Sequence, residues 1–198
     1  MPTNTHEICK IIKSLKNKKG GADALHARIL KHIIDYIADP IVYILNLSLD
    51  KSIYPDHFKI AEVVPVYKAK EKHDPSNYRP ISLISNLAKI YEKILHNRLM
   101  NFLIKNDVIS KNQYGFMMNK GTKDVIAYLT DYVFKKLDNR QCTAAVMLDF
   151  SKAFDTVQHA KLLEKLELYG IRGKPLELIK NYLLNRYQFV KLNGSRSN

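Results

Sequence analysis

Two aspartates are the first residues to suggest chemistry. Asp149 ends a run of five apolar residues, Ala144 to Leu148, and Asp155 follows six positions later behind Phe154. Carboxylates so placed have three uses. They can hold a divalent cation such as magnesium through hard oxygen ligands, act as an acid–base pair without metal, or cap a helix, here one beginning near Thr156 with Asp155 or Ser151 as its cap. For Asp155 the cap and the site stand level. Asp149 is harder to explain as a cap, because an acid closing an apolar strand needs a partner or a cation. The basic counterpart is Lys68, Lys70, Lys72 and Arg79, read either as a phosphate clamp or as a solvated loop. His159, four residues beyond Asp155, fits a local contact at a helix start and is given no catalytic role.

These residues need elements to position them. The run Ala144–Leu148 reads as a strand buried on both faces, whose end would open onto a crevice. Ile8, Ile11, Ile12 and Leu15 predict a helix from Thr5. Leu25 to Ile37 predict a second, stopped at Asp39-Pro40, with Pro40 opening a third as its first residue. Residues 61–67 and 78–83 predict a hairpin, with Pro65 confined to an edge or a strand end. A stripe from Leu87 to Leu103 predicts a long helix whose other face carries Lys89, Lys93, His96, Asn97 and Arg98. Thr122 is expected to cap a further helix, and Gly170 and Pro175 to punctuate two more. Gln188–Leu192 predicts a last strand running into the turn Asn193-Gly194, so that the chain stops within a hairpin and reads as cut. The class is α+β, helix-rich with a few antiparallel strands.

The 198 residues carry a formal charge of +13 and 46% hydrophobic residues, which suits a globular chain with a polyanionic partner, most simply nucleic acid. Cys9 and Cys142 have no paired spacing, which speaks against a disulfide scaffold or a zinc site and for a reducing, intracellular setting. No apolar run reaches the ~20 residues of a membrane span, and the N-terminus lacks the apolar core of a signal peptide.

Several motifs then occur in order: Tyr54-Pro55, Phe58-Lys59, Val64-Pro65-Val66-Tyr67-Lys68, Asn77-Tyr78-Arg79-Pro80-Ile81-Ser82-Leu83, Lys89-Ile90-Tyr91-Glu92-Lys93, Gln113-Tyr114-Gly115-Phe116, Leu148-Asp149-Phe150-Ser151-Lys152-Ala153-Phe154-Asp155, and Tyr182-Leu183 with Arg186. From about Tyr54 to Gly194 their order and spacing resemble the reverse transcriptases of non-LTR (LINE-type) retrotransposons, of the jockey/CR1-like group. Gly21 and Asp23 are a fainter echo of a preceding motif, and Phe58 stands where that family generally has tryptophan.

The resemblance implies the fingers and partial palm of a right-hand polymerase: an N-terminal helical extension (1–52), fingers (53–140) and the first part of the palm (141–198). It implies an RNA-directed DNA polymerase that joins a dNTP to a primer 3′-hydroxyl on an RNA template with two Mg²⁺ ions. Asp149 matches the catalytic carboxylate that binds metal. Lys68 and Arg79 match residues that hold the triphosphate, Phe150 and Ser151 lie where backbone amides approach it, and Phe154 matches the aromatic that excludes a ribose 2′-hydroxyl. Phe154 as ordinary core is the competing view. Asp155 supports the site, and Lys89, Lys93 and Arg98 suit the template–primer backbone. The family's Gly-Pro-Gln-Gly-type and Tyr-x-Asp-Asp motifs do not occur in these residues, so the chain is expected to be truncated before the catalytic hairpin and inactive alone. The alternative is a non-catalytic module that binds RNA or an RNA–DNA hybrid, and a nuclease using Asp149 and Asp155 is the third option. No membrane association is expected, and the family implies the nucleus, with the cytoplasm as the other compartment.

Overall fold

Asn4 begins the first helix, its side-chain oxygen accepting the Glu7 amide at 2.8 Å, so that α1 (Thr5–Ser14) turns Ile8, Ile11 and Ile12 inward. The structure is a computed structural model describing residues 2–69, 71–150, 152–192 and 195–197. Among these are seven α-helices and a four-stranded sheet. The chain forms two compact units, residues 1–100 with 159–198 and residues 101–158. The N-terminal helices therefore share a unit with the last forty positions, a division different from the three segments the motifs imply.

In the first unit, α2 (Ala27–His32) and α3 (Ile34–Lys51) do not divide where the sequence suggests. The break falls at Ile33 (φ −104°, ψ 13°), and Pro40 lies inside α3 rather than opening a helix. Pro40 is exposed and so is Tyr36, whose carbonyl would be its helical acceptor, so the missing N–H leaves an oxygen that water can satisfy. The burial of Ile34, Ala38 and Leu45 outweighs the remaining cost.

The sheet is β1 (Ile60–Tyr67), β2 (Tyr78–Leu83), β3 (Tyr187–Leu192) and β4 (Ser195–Arg196), in the order β2-β1-β3-β4. β1 and β2 form the expected antiparallel hairpin, Tyr67 facing Tyr78 and Glu62 facing Leu83. β3, however, lies parallel to β1, from Ile60 opposite Tyr187 to Val63 opposite Val190, which corrects the expectation of antiparallel strands alone. Antiparallel pairing is natural for strands close in sequence, whereas β1 and β3 are joined through helices, the kind of connection that permits parallel pairing. β1 is thus internal, yet Pro65 sits beyond the last β3 pair and opposite Pro80, where it removes no donor from that ladder. β4 pairs back on β3, while the expected turn Asn193-Gly194 lies outside the described residues.

α4 (Asn86–Lys105) buries Ala88, and packs Ile90, Tyr91 and Ile94 in one cluster with Ile8, Ile12, Leu30, Leu45 and Leu178. Tyr54 stacks on Tyr91 with centroids 5.1 Å apart and meets Tyr182 edge-on at 4.9 Å. α6 (His159–Leu168) ends before Gly170, whose φ of 93° is easy only for glycine, and α7 (Lys174–Leu183) carries Pro175 in its first turn.

In the second unit, α5 (Thr122–Asp138) is capped by Gly121, with Thr122 the first helical residue. The Asp124 carboxylate accepts the Gly121 amide at 2.6 Å and the Asp124 amide donates to the Gly121 carbonyl at 3.1 Å, so the hydroxyl cap expected of Thr122 is not the one used. No residue of α5 is buried. Residues 141–150 form no strand, and Val146, Met147 and Leu148 are 85–86% exposed. The expected buried strand is therefore absent. An apolar run becomes a strand only where neighbours take up its amides and carbonyls, and no other strand occurs among the described residues of this unit.

Candidate functional site

The hairpin β1–β2 sets out the basic residues. The Lys68 amide donates to the Asn77 carbonyl at 2.8 Å, closing the ladder, and Arg79 pairs with Val66 one step further along. Both side chains are exposed. The connecting loop is held by its own polar groups. Asp74 accepts the Ser76 amide at 2.8 Å and its hydroxyl at 2.7 Å, and these bonds hold the Asp74 carboxyl below its ordinary pKa. Asn77 donates to the Glu71 carbonyl at 2.9 Å, and the Tyr78 hydroxyl to that of Lys72 at 2.8 Å. Lys70 lies outside the described residues.

Asp149 and Phe150 belong to the other unit, on the exposed irregular segment. Ser151 lies outside the described residues. Asp155 closes a turn whose amide donates to the Lys152 carbonyl at 2.9 Å, with Thr156 bonding the same oxygen at 3.1 Å. α6 starts four residues later at His159, so Asp155 is not in its capping position. Phe154 is 79% exposed and meets Phe116 edge-on at 6.0 Å, which removes the reading of Phe154 as core. Among the described residues no group of three or more His, Cys, Asp or Glu side chains could hold a metal. The carboxylate of Asp149 is the right donor type for Mg²⁺, but a single carboxylate is not a two-ion centre, so the described residues do not assemble one.

α4 brings only part of the expected basic face to solvent. Lys93 is exposed and lines a cavity of about 460 Å³ with His6, Lys10, Ser14 and Asn97. Lys89 donates to Asn86 Oδ1 at 3.0 Å. Arg98 grips Glu7 with both ends of its fork, at 3.0 and 2.9 Å, and donates to the Pro2 carbonyl at 3.0 Å. That grip holds the Glu7 carboxyl below its ordinary pKa, with burial opposing.

One cluster joins residues that the motifs contain but to which the sequence reading gives no role. The Tyr182 hydroxyl donates to Glu92 Oε1 at 2.9 Å, and the Arg186 guanidinium stacks on the Tyr182 ring at 4.7 Å. Burial pushes the Glu92 carboxyl up, and burial with the Glu92 charge raises Tyr182 to about 12. The Tyr54 hydroxyl beside them is buried without a partner among the described residues. The spacing of Tyr182 and Arg186, one helical turn apart, was the available signal.

A basic hairpin and a carboxylate after an apolar run are parts common to enzymes acting on phosphates. Comparison with known proteins supplies the class. Residues 70–198 match the reverse transcriptase (RNA-dependent DNA polymerase) family, and the chain belongs to it, as the motif resemblance implies. It is similar to a probable RNA-directed DNA polymerase from transposon BS of Drosophila melanogaster, 30% identical over 99% of the chain. It is also similar to the RNA-directed DNA polymerase from mobile element jockey of the same fly, 30% identical over 96% of the chain. A Pol polyprotein from the type-1 retrotransposable element R2 of Popillia japonica is 27% identical over 86% of the chain. The chain spans only 22%, 21% and 23% of these relatives' lengths. No described helix is long and apolar enough to cross a membrane.

Proposed function

We propose that the chain is part of an RNA-directed DNA polymerase of a non-LTR retrotransposon, comprising fingers and the first part of the palm. The observation that carries this is the family match over residues 70–198, which contains the Asp149–Asp155 motif. In this reading Asp149 is the catalytic carboxylate and supplies one ligand to the paired Mg²⁺ ions of the complete enzyme. Those ions would activate the primer 3′-hydroxyl and offset charge on the phosphoryl oxygens. Lys68 and Arg79 receive the dNTP phosphates, for which their exposure on a rigid hairpin suits them. Phe150 and Ser151 offer backbone amides, Phe154 rejects a 2′-hydroxyl, and Asp155 supports the segment. An RNA template and a DNA primer are the macromolecular partners, and the nucleus is the compartment. Lys93 contacts the strand backbone, whereas Lys89 and Arg98, bonded to Asn86 and Glu7, contribute mainly by fixing α4.

The 198 residues alone do not polymerise in this reading, because among the described residues no group of three or more potential ligands forms around Asp149. Primer extension on poly(rA)·oligo(dT) checks both halves. The isolated chain should give no product, and a polypeptide of the relatives' full length containing these residues should give product that Asp149→Ala abolishes. Extension unaffected by Asp149→Ala would refute the assignment. A second reading, a binding module without catalysis, is favoured by the charge of +13. It predicts hybrid binding that weakens steeply with salt while the longer polypeptide shows no extension at all.

A further inference from the structure

Arg186 is held as a receptor residue is held, although none of the matched motifs gives it a task. It stands between α7 and β3, and its charge is incompletely answered. The ring of Tyr182 supports the guanidinium face at 4.7 Å, and Nη1 donates to the Tyr182 carbonyl at 3.2 Å. The carboxylate paired with it, Glu92, comes no closer than 4.0 Å to Nη2. That same oxygen already accepts the Tyr182 hydroxyl, and burial makes Glu92 reluctant to ionise. A guanidinium has five N–H donors in a flat fork, and here it is oriented without being neutralised.

Arg186 also lines a cavity of about 150 Å³ at the seam of β2, β1 and β3, together with Ala61, Ser82, Ile84, Tyr187 and Gln188. The register places Ala61 opposite Gln188 and Ser82 opposite Val63, so the cavity spans all three strands. Its volume leaves room for a phosphate group. Ser82 and Gln188 carry donors that complement the fork, and no acidic side chain lines the cavity.

We propose that this cavity is a phosphate subsite in which Arg186, oriented by Tyr182, receives one phosphodiester of a bound nucleic-acid strand. It rests on the nucleic-acid reading above and adds a contact outside the Lys68–Arg79 hairpin and the face of α4. A phosphodiester of a strand and the phosphates of a free nucleotide share this chemistry, and the strand is the source assigned.

The test uses the 198-residue chain and a fluorescein-labelled 16-base-pair RNA–DNA hybrid, with binding followed by anisotropy over a KCl series. Arg186→Gln should weaken binding several-fold and lower the slope of log K against log salt by about 1. Glu92→Gln keeps an acceptor for the Tyr182 hydroxyl but removes the opposing carboxylate, and should tighten binding. An unchanged slope in Arg186→Gln overturns the proposal. If that variant also melts at lower temperature, Glu92→Gln decides: tighter binding supports the subsite, and equal or weaker binding overturns it. Competition by dTTP that depends on Arg186, with hybrid binding indifferent to it, assigns the phosphate to a nucleotide and overturns the strand assignment. A wild-type chain that binds no hybrid at any salt would sink the nucleic-acid reading itself, whereas wild-type binding that ignores Arg186 sinks only the subsite.

Discussion

The unit of residues 1–100 and 159–198 and the unit of residues 101–158 reverse the order of interest that the motifs suggest. The first holds the buried cluster of Ile8, Ile12, Tyr54, Ile90, Tyr91 and Ile94, and all four described strands. The second holds Asp149, Phe150, Phe154 and Asp155, yet α5 buries no residue and Leu148 is 86% exposed. The packed core and the carboxylate motif thus lie on different stretches of chain. A family motif records what a residue must do in the complete enzyme, and its local hydrophobicity records the partners it needs there. The buried tyrosines and isoleucines of the first unit pack on one another, and the run before Asp149 is exposed among the described residues.

The largest effect sharpens this contrast directly. Ile94→Ala removes a fully buried side chain from the first unit and should cost about 3 kcal/mol in urea unfolding. Leu148→Ala should stay within about 0.5 kcal/mol in the same chain, because an exposed side chain leaves no cavity. Hydrogen exchange should agree, with amides of residues 144–150 exchanging far faster than those of Ile90–Ile94. Equal costs for the two substitutions would show that the run before Asp149 is packed after all. In a polypeptide of the relatives' full length the two substitutions should become comparable.

How much was legible divides along the same line. α1, α6, α7 and the hairpin follow from apolar spacing and from Gly170 and Pro175, signals that act within a few residues. The parallel pairing of β1 with β3 and the break at Ile33 were not legible, because each is decided by packing between distant segments. The echo at Gly21 and Asp23 has a local structural cause. A Cβ on Gly21 would lie 2.0 Å from the Leu83 carbonyl oxygen, and Asp23 accepts the Ser85 hydroxyl at 2.5 Å. At the site, Asp149 is a candidate from its motif and from the apolar run that it closes, and the geometry of the described segment does not single it out. For Arg98, helix periodicity shows the face that the residue occupies and not that its fork holds Glu7.

Two carboxylates of the first unit give a smaller effect with opposite signs. Glu7 is held below its ordinary pKa by Arg98, so its stabilisation is present above about pH 4.3 and is lost as pH falls through its folded value. Glu92 is pushed above its ordinary pKa by burial, so its contribution is complete below about pH 4.3 and is lost as pH rises through its folded value. Glu7→Gln should therefore cost about 1–2 kcal/mol at pH 7 and flatten the acid limb of a stability-against-pH curve. Glu92→Gln should leave stability at pH 7 equal or higher, and would sharpen the view of Glu92 as a reluctant ion. A steeper acid limb in Glu7→Gln would contradict the assignment of its pair.

The smallest effect belongs to the second unit. Lys135 and Asp131 approach to 2.6 Å on α5, and the pair raises the Lys135 pKa, but both side chains are well exposed. Water answers such charges almost as well as they answer each other, and fixing two mobile side chains offsets what remains. Lys135→Ala should thus leave the urea midpoint unchanged, in low salt and in high salt alike. The apolar side of the same helix, where Ile126 and Phe134 are 59% and 61% exposed, should be equally insensitive to Ile126→Ala in this chain. A clear loss on Ile126→Ala with none on Lys135→Ala would mean that α5 is packed in solution. The contrast between the two units would then narrow to the ten residues that end at Phe150.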